Sequence, residues 1–187
     1  MNLTFLNSGF IVNIVSIVNK PRVSKAITRT YIGTAAFVGC IGLLFISLGI
    51  FTPMGVMGFI AGSIILVFIE PIFILIISSL YKTSYILTDV ELVIKTTVLI
   101  GGRKRVPLNE IESVEKTLIP FGFKLFGASF HGGYYSIPGL GRAFLAITNF
   151  EDGLLLKTKN RNYIITPRNP SEFQESIKSR LVLQPPS

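Results

Sequence analysis

Residues that commonly carry catalysis are scarce in this chain. Its 187 residues contain one histidine, His131, and one cysteine, Cys40. A single histidine next to a predicted turn does not complete a nucleophile–histidine–acid set, and one cysteine with one histidine does not form a zinc site. The glycine pairs at 101–102 and 132–133 match no phosphate-binding loop, and the acidic pair at 151–152 belongs to a predicted hairpin turn. The sequence therefore predicts a protein that is not an enzyme and that binds no cofactor and no metal ion.

Glu70 is the other residue with chemical potential, because it is the only charged residue between positions 31 and 80. It lies about eleven residues, or about 16 Å, from the end of its apolar segment, a depth at which a charged side chain costs about 2–3 kcal/mol. Pro71 follows it and predicts a kink. Three roles stay open: a structural group, protonated or bonded to Ser63, Thr34 or freed backbone; a contact with a partner membrane protein; and part of a transport path. A lone carboxylate makes a poor proton relay, because a relay needs successive titratable groups.

The apolar stretch around Glu70 predicts the element that organises the chain, a transmembrane helical hairpin at 30–80. Two segments, roughly 31–51 and 54–80, are each long enough to cross a bilayer as a helix. Thr52 and Pro53 between them allow only a tight reversal, so both chain ends should lie on the same side. A buried hairpin of a soluble protein is the competing interpretation, but soluble helices of this length normally carry a charged face.

Small residues recur inside these segments. Gly58 and Gly62 lie four residues apart in the second segment, a spacing that lets helices approach closely in lipid. The motif predicts either packing of the hairpin on itself or an intramembrane contact with an oligomer or a partner.

Basic residues on one side of the predicted spans indicate their orientation. Lys20, Arg22, Lys25 and Arg29 precede the first span and Lys82 follows the second, whereas the turn has no basic residue. By the positive-inside rule, this predicts a multi-pass protein of the cell membrane with two transmembrane helices and both termini cytoplasmic. The four preceding residues are candidates for contact with membrane lipids. Because much of the net charge of +8 is juxtamembrane and no arginine-rich arm is visible, we predict no nucleic-acid partner.

Residues 1–29 are predicted to form an amphipathic and basic juxtamembrane segment. Its apolar first part, 1–19, is short and interrupted by Asn7, Asn13 and Asn19. We expect an interfacial helix that lies on the cytoplasmic leaflet or packs against the hairpin. A removed leader and a third partial span stay open as alternatives, although no positive region precedes the apolar run, as a signal peptide requires.

From residue 81 the pattern becomes that of a globular domain, predicted at 81–183 with a tail at 184–187. Apolar and polar residues alternate with a period of two between turn signals, which predicts an antiparallel barrel or sandwich. A C-terminal helix should close it, because Asn169 and Glu172 suit a capped start and apolar residues recur at 173, 177 and 181. The predicted strands are 81–87, 91–98, 103–107, 111–118, 131–137, 142–148, 154–159 and 163–166, with an irregular piece at 119–130.

Short motifs in this part of the chain resemble the bacterial and archaeal PH-like (pleckstrin-homology-like) domain family. They are Leu125-Phe-Gly127, His131-Gly-Gly-Tyr-Tyr135, the runs 141–148 and 154–158, Tyr163-Ile-Ile-Thr-Pro167 and Asn169-Pro-Ser-Glu-Phe173. The resemblance covers roughly 81–182 and rests on structural rather than catalytic motifs. It implies seven or eight strands closed by one helix, often behind a pair of transmembrane helices, and it implies no reaction. The predicted fold class is an α+β membrane protein: a transmembrane α-hairpin followed by a mainly antiparallel PH-like barrel or sandwich with a C-terminal capping helix.

The sequence departs from phosphoinositide-binding PH domains, which place basic residues around their first strand–turn–strand. The corresponding turn, 88–90, contains Asp89 and no basic residue, so inositide recognition is not predicted. The nearest basic patch is Arg103, Lys104 and Arg105. Either it contacts lipid phosphates or its charge protects a solvated edge strand.

These patterns predict a non-catalytic membrane-anchored module that binds or scaffolds protein partners at the cytoplasmic membrane face, for example as an accessory subunit of a membrane complex. The expected partners are membrane lipids and other membrane or membrane-associated proteins, and a homo-oligomer stays open. The alternative is a small transporter or channel component that uses Glu70.

Overall fold

The computed structural model describes residues 16–53, 55–98, 100–126 and 131–183. A helical hairpin comes early in the chain: α1 spans Lys25–Phe51, α2 spans Gly55–Ile64, a π-helical segment spans Ile65–Ile69, and α3 spans Glu70–Lys82. Helix α1 begins earlier than the predicted span because Ser24 caps it, its side-chain oxygen accepting from the backbone N–H of Ile27 at 3.5 Å. Lys25 and Arg29 therefore belong to α1 itself.

Glycines bring the two arms of the hairpin into direct contact. A Cβ atom on Gly62 would lie 2.5 Å from the carbonyl oxygen of Gly42, and one on Gly58 would lie 2.9 Å from the backbone nitrogen of Gly49. Because a side chain at either position would push the backbones apart, glycine sets the distance between α1 and α2.

The outer faces of the hairpin are apolar and exposed. Lys25–Phe51 has 27 residues and the second arm, Gly55–Lys82, has 28, and only 6% of the most apolar part of each is buried. A core helix of a soluble protein would be mostly buried. The length, composition and exposure of both arms suggest association with a membrane.

The second arm changes its helical geometry just before Pro71. The backbone N–H of Glu70 donates to the carbonyl oxygen of Ile65, five residues earlier instead of four. In a regular α-helix the ring of Pro71 would meet the carbonyl oxygen of Val67, which would also lose its donor. Where the sequence predicted a kink at Pro71, the structure has a π-helical segment, Ile65–Ile69, directly before it.

The described chain contains ten strands in two sheets. They are β1 Ile17–Asn19, β2 Ser84–Leu87, β3 Glu91–Lys95, β4 Arg103–Pro107, β5 Ile111–Thr117, β6 Phe123–Phe126, β7 Gly132–Ile137, β8 Gly141–Ala146, β9 Gly153–Thr158 and β10 Asn162–Ile165. The sheet orders are β1-β2-β3-β4 and β5-β9-β10-β8-β7-β6. Every neighbouring pair is antiparallel except β8 and β10, because β10 lies between β8 and its own hairpin partner β9. The predicted α+β class with mainly antiparallel strands is confirmed.

Two strands lie where the sequence predicted none. β1 pairs with β2, with Ile17 opposite Leu87, so the interfacial helix predicted over 1–19 is wrong for 17–19; residues 1–15 lie outside the described part of the chain. The open edge of β2 offers these three residues backbone hydrogen bonds that a short helix end would not. β6 lies within the piece predicted to be irregular and pairs with β7.

The main core lies between the two sheets and under the C-terminal helix, α4 (Pro170–Val182). Phe173 and Ile177 are 1% and 0% exposed and Leu181 is partly buried, so the predicted apolar stripe is confirmed. The start of α4 differs from the prediction. The Asn169 amide donates to the Glu172 carboxylate at 3.0 Å, whereas the predicted cap required Asn169 to accept from a backbone N–H.

Candidate functional site

The hairpin and the C-terminal domain meet at a junction that starts with the strap, defined as residues 19–24. The backbone N–H of Ser24 donates to the carbonyl oxygen of Thr148 at 2.9 Å, and the Thr148 hydroxyl donates to the carbonyl oxygen of Arg22 at 2.9 Å. At the other arm, α3 continues into β2 through a single residue, Thr83. Both arms of the hairpin are therefore fixed to the domain.

A second connection between α1 and the C-terminal domain is a hydrogen bond between two aromatic side chains. The Tyr31 hydroxyl lies 2.9 Å from Nδ1 of His131, and the rings meet edge to face with centroids 5.2 Å apart. The Phe150 ring also packs against His131, with ring centroids 5.3 Å apart. His131 is 5% exposed; burial, helped by the positive charge of Lys124, lowers its pKa to about 4. The imidazole is therefore neutral at physiological pH.

The junction lies at a defined depth along the hairpin. About 20 helical residues cross the ~30 Å hydrocarbon core of a bilayer, and counted from the 52–53 turn they end near Ile32 on α1 and Ile74 on α3. In a membrane, Tyr31 would thus lie at the boundary between hydrocarbon and headgroups. A cavity of about 550 Å³ opens at the same depth and is lined mainly by Thr30, Tyr31 and Thr34 of α1, Phe73 of α3, His131 and Phe150.

An apolar surface runs outward from this cavity. We define the ridge as six side chains that are between 53% and 84% exposed: Leu118, Phe121, Phe123, Leu125, Phe126 and Phe150. Phe121 and Phe150 line a second cavity, of about 460 Å³, together with Lys124. Desolvation lowers the pKa of Lys124, whose ammonium lies 5.9 Å from the centre of the Tyr135 ring. Phe150 lines both cavities, so the ridge is continuous with the hairpin.

The profile of the bacterial PH domain family matches residues 83–181, more than half of the chain. The chain belongs to this family. No match to it was found among curated proteins or among solved structures. The match begins directly after α3, so β1, which extends the first sheet, and the strap lie outside the part of the PH domain that the family shares.

Strand register shows which end of the PH domain faces the hairpin. Ser84, two residues beyond α3, is opposite Lys95, which is opposite Arg103. The loop between Lys95 and Arg103 is therefore at the hairpin end, and its Val98 is 92% exposed. The turn that follows β2, including Val90, is at the far end.

The predicted basic patch divides among three environments. Arg103 lies at the hairpin end, and the exposed Arg105 guanidinium lies 3.8 Å from the half-buried Glu91 carboxylate in an ion pair. Lys104 lies over aromatic rings, with its ammonium 5.3 Å from the centre of Tyr134. Arg161 covers Tyr134 as well, at 4.7 Å. Burial raises the pKa of Tyr134, but hydrogen bonding and charge from Lys104 and Arg161 outweigh it and lower that pKa.

The four basic residues that precede the predicted span are all exposed and lie close to the junction. Lys20 and Arg22 belong to the strap; the carbonyl oxygen of Lys20 accepts from the backbone N–H of Arg168 at 3.2 Å, and Arg22 lies 3.8 Å from Glu151. Lys25 and Arg29 occupy the first two turns of α1. These charges and Arg103 lie at the same end of the PH domain, the hairpin end, but Arg103 is on β4, at the opposite edge of the first sheet from β1.

The intramembrane candidates all lie between the arms of the hairpin. Gly58 and Gly62 are buried against α1. The Glu70 carboxylate faces Gly39, where a Cβ atom would lie 2.7 Å from its Oε1. Thr34, one of the partners considered for Glu70, donates its hydroxyl to the carbonyl oxygen of Thr30 at 2.9 Å.

Sequence reasoning missed the ridge and the role of Tyr31. A signal for both was present: an aromatic run without acidic residues at 118–130, and a tyrosine at the end of an apolar span, where interfacial aromatics are common. Within the described ranges, no three His, Cys, Asp or Glu side chains come together to hold a metal ion. The PH domain thus presents contact surfaces, among them the ridge, in a fixed position relative to the hairpin.

Proposed function

We propose that this chain is a non-catalytic module that a transmembrane hairpin holds at the cytoplasmic face of the cell membrane, where its PH domain binds or scaffolds protein partners, for example as an accessory subunit of a membrane complex. The junction carries this proposal. The strap, β1 and the Tyr31–His131 hydrogen bond fix the domain on the hairpin. A domain in fixed orientation presents the same surface to the cytoplasm in every copy, which suits scaffolding.

The distribution of basic residues supports the orientation. The strap and the first turns of α1 are basic and Lys82 ends α3, whereas residues 52–53 carry no charge. To test it, Cys40 is replaced by Ala, and single cysteines are introduced as Pro53→Cys or Asn160→Cys. We expect an impermeant maleimide to label residue 53 in sealed cells and residue 160 only after permeabilisation. The reverse pattern would refute a cytoplasmic PH domain.

The cluster formed by Tyr134, Lys104 and Arg161 supports a protein partner. All three side chains are partly exposed, and tyrosine and arginine are the residue types that contribute most to binding energy at protein interfaces. The cations are held over the rings, so little side-chain freedom would be lost on binding.

A photo-crosslinking amino acid at Asn160, next to this cluster, tests the proposal in cells. We expect one discrete adduct with another protein, with a yield that falls at least about fivefold when Arg161→Ala is added, since loss of about 1 kcal/mol or more of binding energy weakens binding by at least that factor. Arg168→Ala, which removes an exposed cation at the other end of the domain, is the matched control. An adduct that does not respond to Arg161→Ala, or the absence of any adduct, would count against this binding surface.

The competing function, transport that uses Glu70, makes a different prediction. It requires that Glu70→Gln abolish a proton or ion flux in vesicles that contain the purified chain. The position of Glu70 between the arms of its own hairpin supports a structural role within the hairpin over transport. A flux that depends on Glu70 would replace our proposal.

A further inference from the structure

The ridge is a surface feature of the PH domain that the proposed function leaves unexplained. Five of its six side chains come from only nine consecutive residues, 118–126, and Phe121 and Phe123 contact each other edge to face, with centroids 6.2 Å apart. Apolar patches of this kind on soluble proteins mark a surface that binds something. No acidic residue occurs between Glu115 and Glu151, whereas Lys116, Lys124 and Arg142 lie in that interval.

The position of the ridge indicates what covers it. Phe150 shares one cavity with Tyr31 of α1 and Phe73 of α3, and it shares another with Phe121. Through Phe150 the ridge adjoins the faces of the hairpin that would contact lipid, and Phe150 lies at the depth where the hydrocarbon core would begin. A bilayer that surrounds the hairpin would therefore meet the ridge first at Phe150.

The loop between Lys95 and Arg103, at the hairpin end of the PH domain, also combines an exposed apolar side chain with flanking cations. Val98 projects from its loop with 92% of its surface exposed, and the loop is flanked by Lys95 and Arg103. Apolar tips flanked by cations suit the layer between acyl chains and anionic phosphates. On the ridge, Lys124 is the cation that can extend its ammonium toward the headgroups while its methylene groups stay among apolar neighbours.

We propose that the ridge is an interfacial membrane anchor, inserted at the boundary of headgroups and acyl chains in the leaflet nearest the PH domain. The inference rests on the proposed membrane-spanning role of the hairpin. The PH domain would then be partly embedded, and the two cavities that Phe150 lines would be filled by acyl chains. A protein partner or a second copy of the chain would cover the ridge instead only if the domain stood clear of the bilayer.

The chain contains no tryptophan, so single introduced tryptophans report depth directly. Phe121→Trp and Phe126→Trp place the probe on the ridge, Leu43→Trp places it in the middle of α1, and Val90→Trp places it at the far end of the PH domain. Each full-length variant is reconstituted in vesicles of phosphatidylethanolamine and phosphatidylglycerol. The phosphatidylglycerol carries bromine either near the carboxyl end or near the methyl end of its acyl chains.

We expect shallow bromines to quench both ridge tryptophans at least about twofold more than deep bromines do, because an interfacial anchor lies only about 5–10 Å below the headgroups. Leu43→Trp should show the opposite order, and Val90→Trp should not be quenched. If Leu43→Trp is quenched but the ridge tryptophans are not, the hairpin spans the membrane and the anchor proposal is refuted; shielding of the ridge by a second copy would give that same result. If Leu43→Trp is not quenched, the proposed membrane anchoring itself fails.

Discussion

Acidification should destabilise the junction through His131. The imidazole has a pKa of about 4 in the folded protein, mainly because it is buried and secondly because Lys124 is nearby, against 6.5 as its ordinary value. Below pH 6.5 the His131 imidazole is protonated in the unfolded chain, whereas in the folded chain it stays neutral down to about pH 4. The free energy of unfolding should therefore fall as the pH decreases through this window and stay constant above it. The difference between the two pKa values corresponds to about 3 kcal/mol.

The expected loss is large compared with the ~5–15 kcal/mol that stabilises a typical domain. It is measured by chemical or thermal unfolding of the full chain in detergent micelles at a series of pH values, with His131→Gln as the comparison. Glutamine keeps a hydrogen-bonding group near the Tyr31 hydroxyl but does not titrate. Carboxylates titrate in both proteins, so the difference between the two curves isolates His131. Curves that stay parallel from about pH 7 to pH 4 would refute the assignment of a buried, neutral imidazole.

Three further perturbations test the packing and the intramembrane contacts. Phe173→Ala should cost about 3–5 kcal/mol of unfolding free energy because it opens a cavity under α4. The control Val182→Ala, at an 84% exposed position of the same helix, should cost little. Equal losses in the two variants would contradict the capping role of α4. Gly62→Ala should lower the free energy of unfolding by about 1–3 kcal/mol, because the added Cβ atom would meet the backbone of α1. Gly33→Ala should be tolerated, because its Cβ atom would have no neighbouring atom within 4 Å. The two variants are compared by thermal unfolding in micelles. At Glu70, whose carboxylate faces Gly39 between the arms of the hairpin, the Gln variant should keep the unfolding temperature in micelles because glutamine is a hydrogen-bonding side chain of the same size. The Leu variant should lower that temperature. A loss of stability with Gln would assign the contact to the charge.

The elements with strong local patterns were predictable from the sequence. The hairpin, the short strands and the stripe of α4 each repeat their signal over many residues, and the burial of Phe173 and Ile177 confirms that stripe. β1 was not predictable, because three residues carry too little pattern and their partner in β2 lies more than sixty residues away. The π-helical segment before Pro71 has no compositional signal of its own, and proline predicts a disruption without predicting its form.

The candidate site was hard to predict for the same reason that makes it informative: its residues come from both halves of the chain. Tyr31 and His131 are a hundred positions apart, and neither is unusual until the strap and β1 bring α1 against the domain. β1 precedes the hairpin in the chain and pairs with β2, which follows it, so the first sheet and the hairpin helices form one connected structure. A force applied to the PH domain by a partner would therefore reach the hairpin through the strap, the Tyr31–His131 hydrogen bond and the direct continuation of α3 into β2. For the proposed scaffold role at a membrane, such coupling would be a physical reason for a domain that is fixed and not held on a flexible linker.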